Sequence, residues 1–484
     1  MGIIENKPFH DNVHDALHND NLQQALRVMK GGFIEKRRKA REKLPEFDEL
    51  RNIGRDIRND VIQNLDAYLT LYEQKVVAAG GHVHWAKDAA AANAAILSIC
   101  QSKNAKIVTK GKSMVGEEIG INAELEKHNI TPVETDLGEY IIQLRHERPS
   151  HIIAPALHVL KEEVEDAFKK THLNLPKDRQ LKENQDLIKE ARHILREKYL
   201  TADVGITGAN FLIAETGSSI IVTNEGNGDL TQHLPKTHIV ITSIDKIVPT
   251  LEDASVLLRL LARSATGQEF SSYTTFSTGK KRQGPNGDDL DGPEEYHVIL
   301  LDNGRSNLIG SEFQEVLRCI RCGACMNHCP VYAAIGGHAY GGIYPGPIGA
   351  VLTPNLSGLK DNYHLPNASS FCGRCEAVCP MHIPLPDLMR KWRMRQFKDN
   401  IGEKLPKFYL AIWVFLATRP VLYHALLGVK LKLSAFFKRR DKSILKNIFF
   451  LKAWQKYRDM PAPQGNMSFH SLYHQQKDNK NHER

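Results

Sequence analysis

The chain has 484 residues, 42% of them hydrophobic and 25% charged, a length and composition that suit a folded protein of two or three domains. Its net charge of +8 is uneven: the stretch from Lys391 to the end holds 20 basic and 6 acidic residues, a net of +14, leaving −6 for the remainder. Such a local basic surface, with no motif for base or phosphate readout, argues against a nucleic-acid-binding protein.

Residues 1–75 read as helix, because Ala16, Leu17, Leu22, Ala25 and Leu26, and then Val61, Leu65, Tyr68, Leu69 and Tyr72, recur at helical spacing. The charged run Lys36–Arg41 between them reads as a solvated face. The first residues have no basic segment followed by an apolar one, so no signal peptide is expected. With reduced cysteines, that points to the cytoplasm.

Over residues 76–305 short apolar strands alternate with helices. Strands are expected at 82–85, 106–109, 132–135, 151–155, 219–223, 238–242 and 297–301, and helices at about 89–100, 117–128, 158–170, 181–199 and 251–265. This alternation predicts an α/β domain with a largely parallel sheet. Cys100, in the Ala-rich helix, reads as a small buried apolar residue, with a cluster-ligand role as the alternative. The segment Thr207–Ser219, continuing to Gly228, sets three glycines and a polar loop around Glu215 and Glu225, a composition suited to a site at strand ends. Either glutamate could serve as base or nucleophile. Alternatively, the glycines make turns and the acids cap helix ends.

Seven of the eight cysteines fall in two runs, Cys319, Cys322, Cys325, Cys329 and then Cys372, Cys375, Cys379, with Pro330 and Pro380 directly after. The first has the C-x2-C-x2-C-x3-C-P spacing by which bacterial ferredoxins hold iron–sulfur clusters. A zinc site would need only four thiolates and gives no reason for the prolines. In the two-cluster arrangement the fourth cysteine of each run reaches across to the other cluster. Cluster 1 is therefore expected to take Cys319, Cys322, Cys325 and Cys379, and cluster 2 to take Cys372, Cys375 and Cys329. Cluster 2 is then one thiolate short. Ser369 stands where the missing cysteine would fall, so the cluster has a non-cysteine ligand there or is of the three-iron type.

Beyond the runs, residues 408–417 and 421–429 are apolar, and each is too short to span a bilayer, with Arg419-Pro420 between them. Packing on the protein's own core, docking to a partner protein and lying on a membrane surface are the readings of this basic, apolar arm, in that order. From Pro461 the chain is polar and expected to be loose.

The motif Gly208-Ala-Asn-Phe-Leu-Ile-Ala-Glu-Thr-Gly-Ser218, followed by Asn224-Glu-Gly-Asn227, resembles the lactate-utilisation (LUD) domain. Residues 306–390, including the linker Tyr340–Val351, resemble the iron–sulfur half of the lactate-utilisation protein B family, and the tail Arg458–Pro463 is similar too. That family's runs also contain seven cysteines. The resemblance implies an α/β LUD domain like those of sugar-phosphate isomerases and CoA transferases, then an all-α ferredoxin-like domain with two clusters, most simply [4Fe–4S], and a helical C-terminal arm. The expected division is 1–75 helical, 76–305 LUD, 306–395 ferredoxin-like and 396–484 arm and tail. It further implies a part in oxidising L-lactate to pyruvate with two other lactate-utilisation proteins.

Two functions from different classes remain. One is an iron–sulfur electron-transfer subunit passing electrons to an unidentified acceptor. No Gly-x-Gly-x-x-Gly run opens a helix after a strand, and nothing marks a flavin or haem site. The other is an acyl- or CoA-transferase-like enzyme using Glu215 or Glu225, supported by fold analogy alone. A regulatory iron–sulfur sensor is a third reading, against which the missing helix-turn-helix signal counts.

Overall fold

Several helices begin where the sequence supplies a side-chain acceptor for a free backbone N–H: Asn19 for Leu22, Asp88 for Ala91, Ser113 for Gly116, Asp136 for Gly138 and Glu139, and Thr250 for Asp253. The computed structural model describes residues 8–176, 178–282, 284, 292–402, 404–436, 444–445, 458, 460–461 and 468–482. The chain divides into two units, Met1–Ile401 and Gly402–Arg484.

The first unit opens with helices α1 (Phe9–His18), α2 (Asp20–Glu42), α3 (Phe47–Gln63) and α4 (Leu65–Ala78). The α/β region follows: β1 (His82–Ala86), α5 (Ala89–Ser102), β2 (Ile107–Gly111), α6 (Met114–Ile119), α7 (Ile121–Lys127), β3 (Thr131–Glu134), α8 (Leu137–Leu144), α9 (Lys161–Thr171) and α10 (Asn184–Leu200). Next come β4 (Val204–Thr207), β5 (Phe211–Ile213), β6 (Ser218–Thr223), α11 (Asn227–His233), β7 (Thr237–Ser243), β8 (Ile247–Val248), α12 (Leu251–Ala265), β9 (Tyr273–Ser277) and β10 (Glu295–Leu301).

Six strands form a parallel sheet in the order β1-β10-β7-β4-β2-β3. Its central strands are mostly apolar or β-branched on both faces, as a doubly covered parallel sheet requires; every residue of β7 is buried, and Val240 pairs with Val298 of β10. Four further strands make a second sheet, β8-β5-β6-β9, in which β6 runs antiparallel to both neighbours. The α/β fold with a parallel sheet is as expected, but Ser219–Thr223 belongs to this second sheet and not to the first.

Two other expectations need correction. The helix over 117–128 is two helices, broken at Gly120, which takes a left-handed conformation. Residues 151–155 are not a strand. His151 is fully buried, and its Nδ1 accepts from the N–H groups of Ile153 and Ala154 at 3.1 and 3.2 Å, curling the backbone into a tight loop. Burial pushes this imidazole down to about 4, which keeps it neutral and able to accept.

The cysteine-bearing region contains short helices α13 (Ala324–Asn327), α14 (Tyr332–Ile335), α15 (Gly346–Ser357), α16 (Leu359–Asn362) and α17 (Arg374–Ala377), and the longer α18 (Leu385–Lys398). Phe313 stacks on Trp392 with centroids 4.1 Å apart, and Trp392 Nε1 donates to Val351 O at 3.0 Å. The N-terminal helices share this core: Gln23 donates to Ala334 O, Arg37 to Val378 O, and Arg51 to Cys379 O. Arg37 thus corrects the reading of 36–41 as a wholly solvated face; it is buried against the second cysteine run.

The second unit contains α19 (Lys404–Ala417), α20 (Pro420–Phe436), a short antiparallel pair β11 (Ile444–Leu445) and β12 (Met460–Pro461), and α21 (Phe469–His482). The tail read as loose therefore includes a helix. The basic stretch 437–443 and most of 446–467 lie outside the described residues. Among the described residues no single helix is long and apolar enough to cross a membrane; Phe408–Ala417 with Pro420–Val429 meets the length and composition only as a pair bent by 107°.

Candidate iron–sulfur site and adjoining pocket

The two cysteine runs fold as two copies of one loop. In the first, Arg321 and Gly323 flank Cys322 with φ of +59° and +71°; in the second, Phe371 and Gly373 flank Cys372 with φ of +53° and +78°. A left-handed non-glycine residue costs roughly 1–2 kcal/mol, and both loops carry one at the same place. The Arg321 N–H points at Cys319 Sγ (3.4 Å), and in the same position of the second loop the Phe371 N–H donates to Ser369 Oγ (3.1 Å). Ser369 therefore occupies the local geometry of a first-run cysteine and presents a hydroxyl oxygen in its place.

Cys319, Cys322, Cys325 and Cys379 line one small cavity, closed by Ile152, Met381 and Ile383. Cys329, Cys372 and Cys375 line a second, together with Ser369. The last cysteine of each run thus faces the cavity of the other. Cys100 is remote from both, fully buried in the apolar layer around α5, where burial raises its thiol to about 12.

The electrostatics fit a metal cluster. Burial raises Cys322 to about 12, Cys375 to about 12 and Cys379 to about 11, and neighbouring thiols add repulsion at Cys322, Cys325 and Cys379. Such thiols release their protons only to a bound cation. Backbone N–H groups already point at sulfur, Tyr332 at Cys329 and Ile383 at Cys379. Around the first cavity stand Arg37 near Cys322 and Cys379, and Arg58, Arg321 and Lys246 near Cys319. This cationic shell is suited to thiolate charge. The second cavity is nearer the surface: Cys372 is exposed, and a backbone N–H from Arg374 lowers its thiol.

A pocket of about 140 Å³ lies at the carboxyl ends of β2, β4 and β7. Strand order reverses between β2 and β4, and ligands of open α/β sheets bind at such switch points. Lys112 follows β2, Gly208 and Asn210 follow β4, and Lys246 follows β7. Gly208 has no alternative here, since a Cβ on it would meet Lys112 O at 2.9 Å. The structure separates the two glutamates. Glu225 is on the exposed rim of this pocket, whereas Glu215 accepts from Leu251 N at 2.7 Å at the start of α12, the capping role.

Arg321 walls both the pocket and the first cavity. It lies over Tyr344, 5.1 Å from the ring centroid, and 3.8 Å from Asp245. Asp245 also meets Arg305 at 3.1 Å, and Arg305 forks onto Glu118 at 2.7 and 2.9 Å, where Tyr344 donates as well. Burial and Arg321 together pull the neighbouring Lys246 down to about 7. Asp245, Lys246, Arg305 and Arg321 escaped sequence reasoning. The first two sit in an apolar run, Ile244–Val248, where a charged pair reads as a surface turn.

Two family models match the two parts of this anatomy. The LUD domain family matches residues 69–301, and the 4Fe-4S dicluster domain family matches 315–383. A lactate utilization protein B from Geobacillus sp. (strain WCH70) is 46% identical over 466 residues, 95% of each chain. One from Bacillus subtilis (strain 168) is 45% identical over 465 residues, 94% of each. The crystal structure of a DUF162 family protein from Deinococcus radiodurans is similar over 49% of this chain and 98% of its own, at 16% identity and a TM-score of 0.27. The dicluster domain means two [4Fe–4S] clusters in this chain. Matched by both domains in the same order and by relatives along nearly its whole length, the chain belongs to the lactate utilization protein B family.

Proposed function

We propose that the chain is the iron–sulfur electron-transfer subunit of a cytoplasmic multi-protein system that oxidises L-lactate to pyruvate and allows growth on lactate. The carrying observation is the pair of thiol-lined cavities, one ringed by cations beside the α/β pocket and one near the surface. The names of the relatives support the pathway. Cys319, Cys322, Cys325 and Cys379 hold cluster 1; Cys329, Cys372 and Cys375 hold cluster 2, with the Ser369 hydroxyl in the fourth place. The clusters supply one-electron transfer.

The protein's own residues do the rest. Arg37, Arg58 and Arg321 offset thiolate charge around Cys319, Cys322 and Cys379. Ile152, Met381 and Ile383 keep water from the first cavity. Exposed Cys372 puts the second within reach of an acceptor. Lactate oxidation removes two electrons and two protons, and its carbon-bound hydrogen must be taken by a group such as nicotinamide or flavin. That group is assigned to the two partner lactate-utilisation proteins. Glu225 at the pocket rim keeps an acyl- or CoA-transferase-like activity as the second reading; trapping of a glutamyl thioester would favour it. Anaerobically purified protein should contain about eight irons. One zinc and no iron would end the electron-carrier reading.

A further inference from the structure

Tyr332, Tyr340 and Tyr344 are buried between the two cysteine runs, and they differ in what their hydroxyls find. Tyr332 Oη donates to Ser150 O and Tyr344 Oη to Glu118 Oε2, each at 2.6 Å. Tyr340 is just as buried, at 2% exposed, yet its Oη is closed off from solvent without a hydrogen bond of ordinary geometry. Its ring is held in place by two others: Tyr332 stacks on it with centroids 6.2 Å apart, and Phe9 of α1 meets it edge-on at 6.4 Å. The hydroxyl faces Cys329, and burial and that thiol both push it well above its ordinary range, so it stays an O–H donor. The Cys329 sulfur already has the Tyr332 N–H pointing at it, at 3.5 Å. A neutral thiol is a weak acceptor. A thiolate bound to iron is a charged one, and hydrogen bonds to ionised groups are shorter and stronger. Native proteins rarely strand a buried hydroxyl, and the cluster supplies the acceptor that this one lacks.

We propose that Tyr340 is a positioning residue of cluster 2: its phenolic O–H donates to the Cys329 sulfur and raises the reduction potential of that cluster. A reduced cluster carries one more negative charge, so the bond strengthens on reduction and favours it. The electron is thereby biased toward the cluster whose Cys372 is exposed. On the side of cluster 1, Tyr344 lies against Arg321 and its hydroxyl is committed to Glu118. The inference rests on the reading of Cys329 as a ligand of cluster 2.

The test is a redox titration of the anaerobic, iron-loaded full chain, followed by electron paramagnetic resonance. The signal of cluster 2 is identified as the one that Ser369→Cys changes. Tyr340→Phe keeps the ring and removes only the donor. It should lower the equilibrium constant for reducing cluster 2 about tenfold, a fall of about 59 mV for one electron, with cluster 1 and the iron content unchanged. Tyr332→Phe removes a hydroxyl bonded to Ser150 instead and should move neither midpoint. A wild-type midpoint for cluster 2 in Tyr340→Phe, or an equal fall in Tyr332→Phe, would overturn the proposal. Replacing tyrosine throughout by fluorotyrosine, a more acidic phenol and stronger donor, predicts the opposite sign, a rise in the cluster 2 midpoint. That measurement carries the test if Tyr340→Phe does not retain iron, and no rise overturns the proposal. A fall confined to cluster 1 would overturn it together with the assignment of Cys329. Failure here is separable from failure of the electron-carrier reading. Lactate-driven cluster reduction with partners, beside a wild-type midpoint in Tyr340→Phe, would keep that reading and remove the role of Tyr340. A lowered cluster 2 midpoint without lactate-driven reduction would do the reverse.

Discussion

Arg58 is where the account of how the α/β region and the cluster region are joined is most exposed to test. It is 1% exposed on α3, and no carboxylate pairs with it among the described residues. Its guanidinium donates to Ile247 O at 2.7 Å, Leu317 O at 2.9 Å, and Asp245 O. One side chain therefore fixes the segment that carries Asp245 and Lys246 and the turn that leads into Cys319. Arg58→Met keeps most of the stem volume and removes all three bonds. A hydrogen bond to a charged group contributes about 1.5–3 kcal/mol, so the Ile247 bond is worth at least about 1.5 kcal/mol to the first segment and the Leu317 bond as much to the second. At about 1.4 kcal/mol per factor of ten, that is roughly tenfold in the local opening of each. Hydrogen exchange of the iron-loaded protein, read by mass spectrometry, should show peptides over 244–250 and 311–320 exchanging about tenfold faster or more, with β2 unchanged. A change below about threefold in both segments, with iron retained, would refute the reasoning.

Three further outcomes follow from the same geometry. Cys379→Ser should damage cluster 1 although it lies in the second run, while Ser369→Cys should alter only the spectrum of cluster 2; spectroscopy showing only cluster 2 lost in Cys379→Ser reverses the ligand exchange. His238 is buried on β7 against Thr207 at 2.8 Å, and burial pushes its imidazole down to about 3. An unfolded histidine titrates near 6.5, so the stabilising contribution of the neutral ring is complete above about pH 6.5 and is lost as pH falls toward 3, roughly 2–3 kcal/mol by pH 4.5. The stability of His238→Gln should show a correspondingly shallower acid dependence than wild type in denaturant titrations; parallel curves would exclude the role. Removing residues 402–484 should leave iron content unchanged and weaken co-purification with partner proteins; recovery of intact protein mainly in the membrane fraction at physiological salt would contradict this.

The cluster residues were legible because cluster ligation is written in short covalent spacings: two residues between thiolates, three before the fourth, then proline. The same register pointed to Ser369, and the two loops share their positive-φ positions and their N–H contact to side-chain sulfur or oxygen. The parallel strands were legible for a similar reason, since β7 and β10 are mostly apolar or β-branched on both faces. What escaped is what depends on tertiary partners. Arg37 was hidden in a charge run, although Phe33, Arg37, Ala40 and Leu44 follow the helical repeat of an inward face and three of the four are buried. Residues 151–155 have β-branched character, but a buried imidazole capturing two backbone N–H groups outweighs it. Lys246 and Arg321 are far apart in sequence and acquire meaning only where β7 ends beside the first cysteine loop.

The electron-carrier assignment is tested most directly by adding L-lactate to the anaerobic, iron-loaded chain, alone and then with its two partner proteins, and following the visible absorbance of the oxidised clusters. The clusters should stay oxidised with lactate alone and bleach once the partners are added, and in a separate assay the chain alone should not reduce an artificial electron acceptor at the expense of lactate. Steady lactate turnover by this chain alone, with flavin and partners shown to be absent, would contradict the account and move the oxidising centre into residues 80–305 or onto cluster 2 at Ser369.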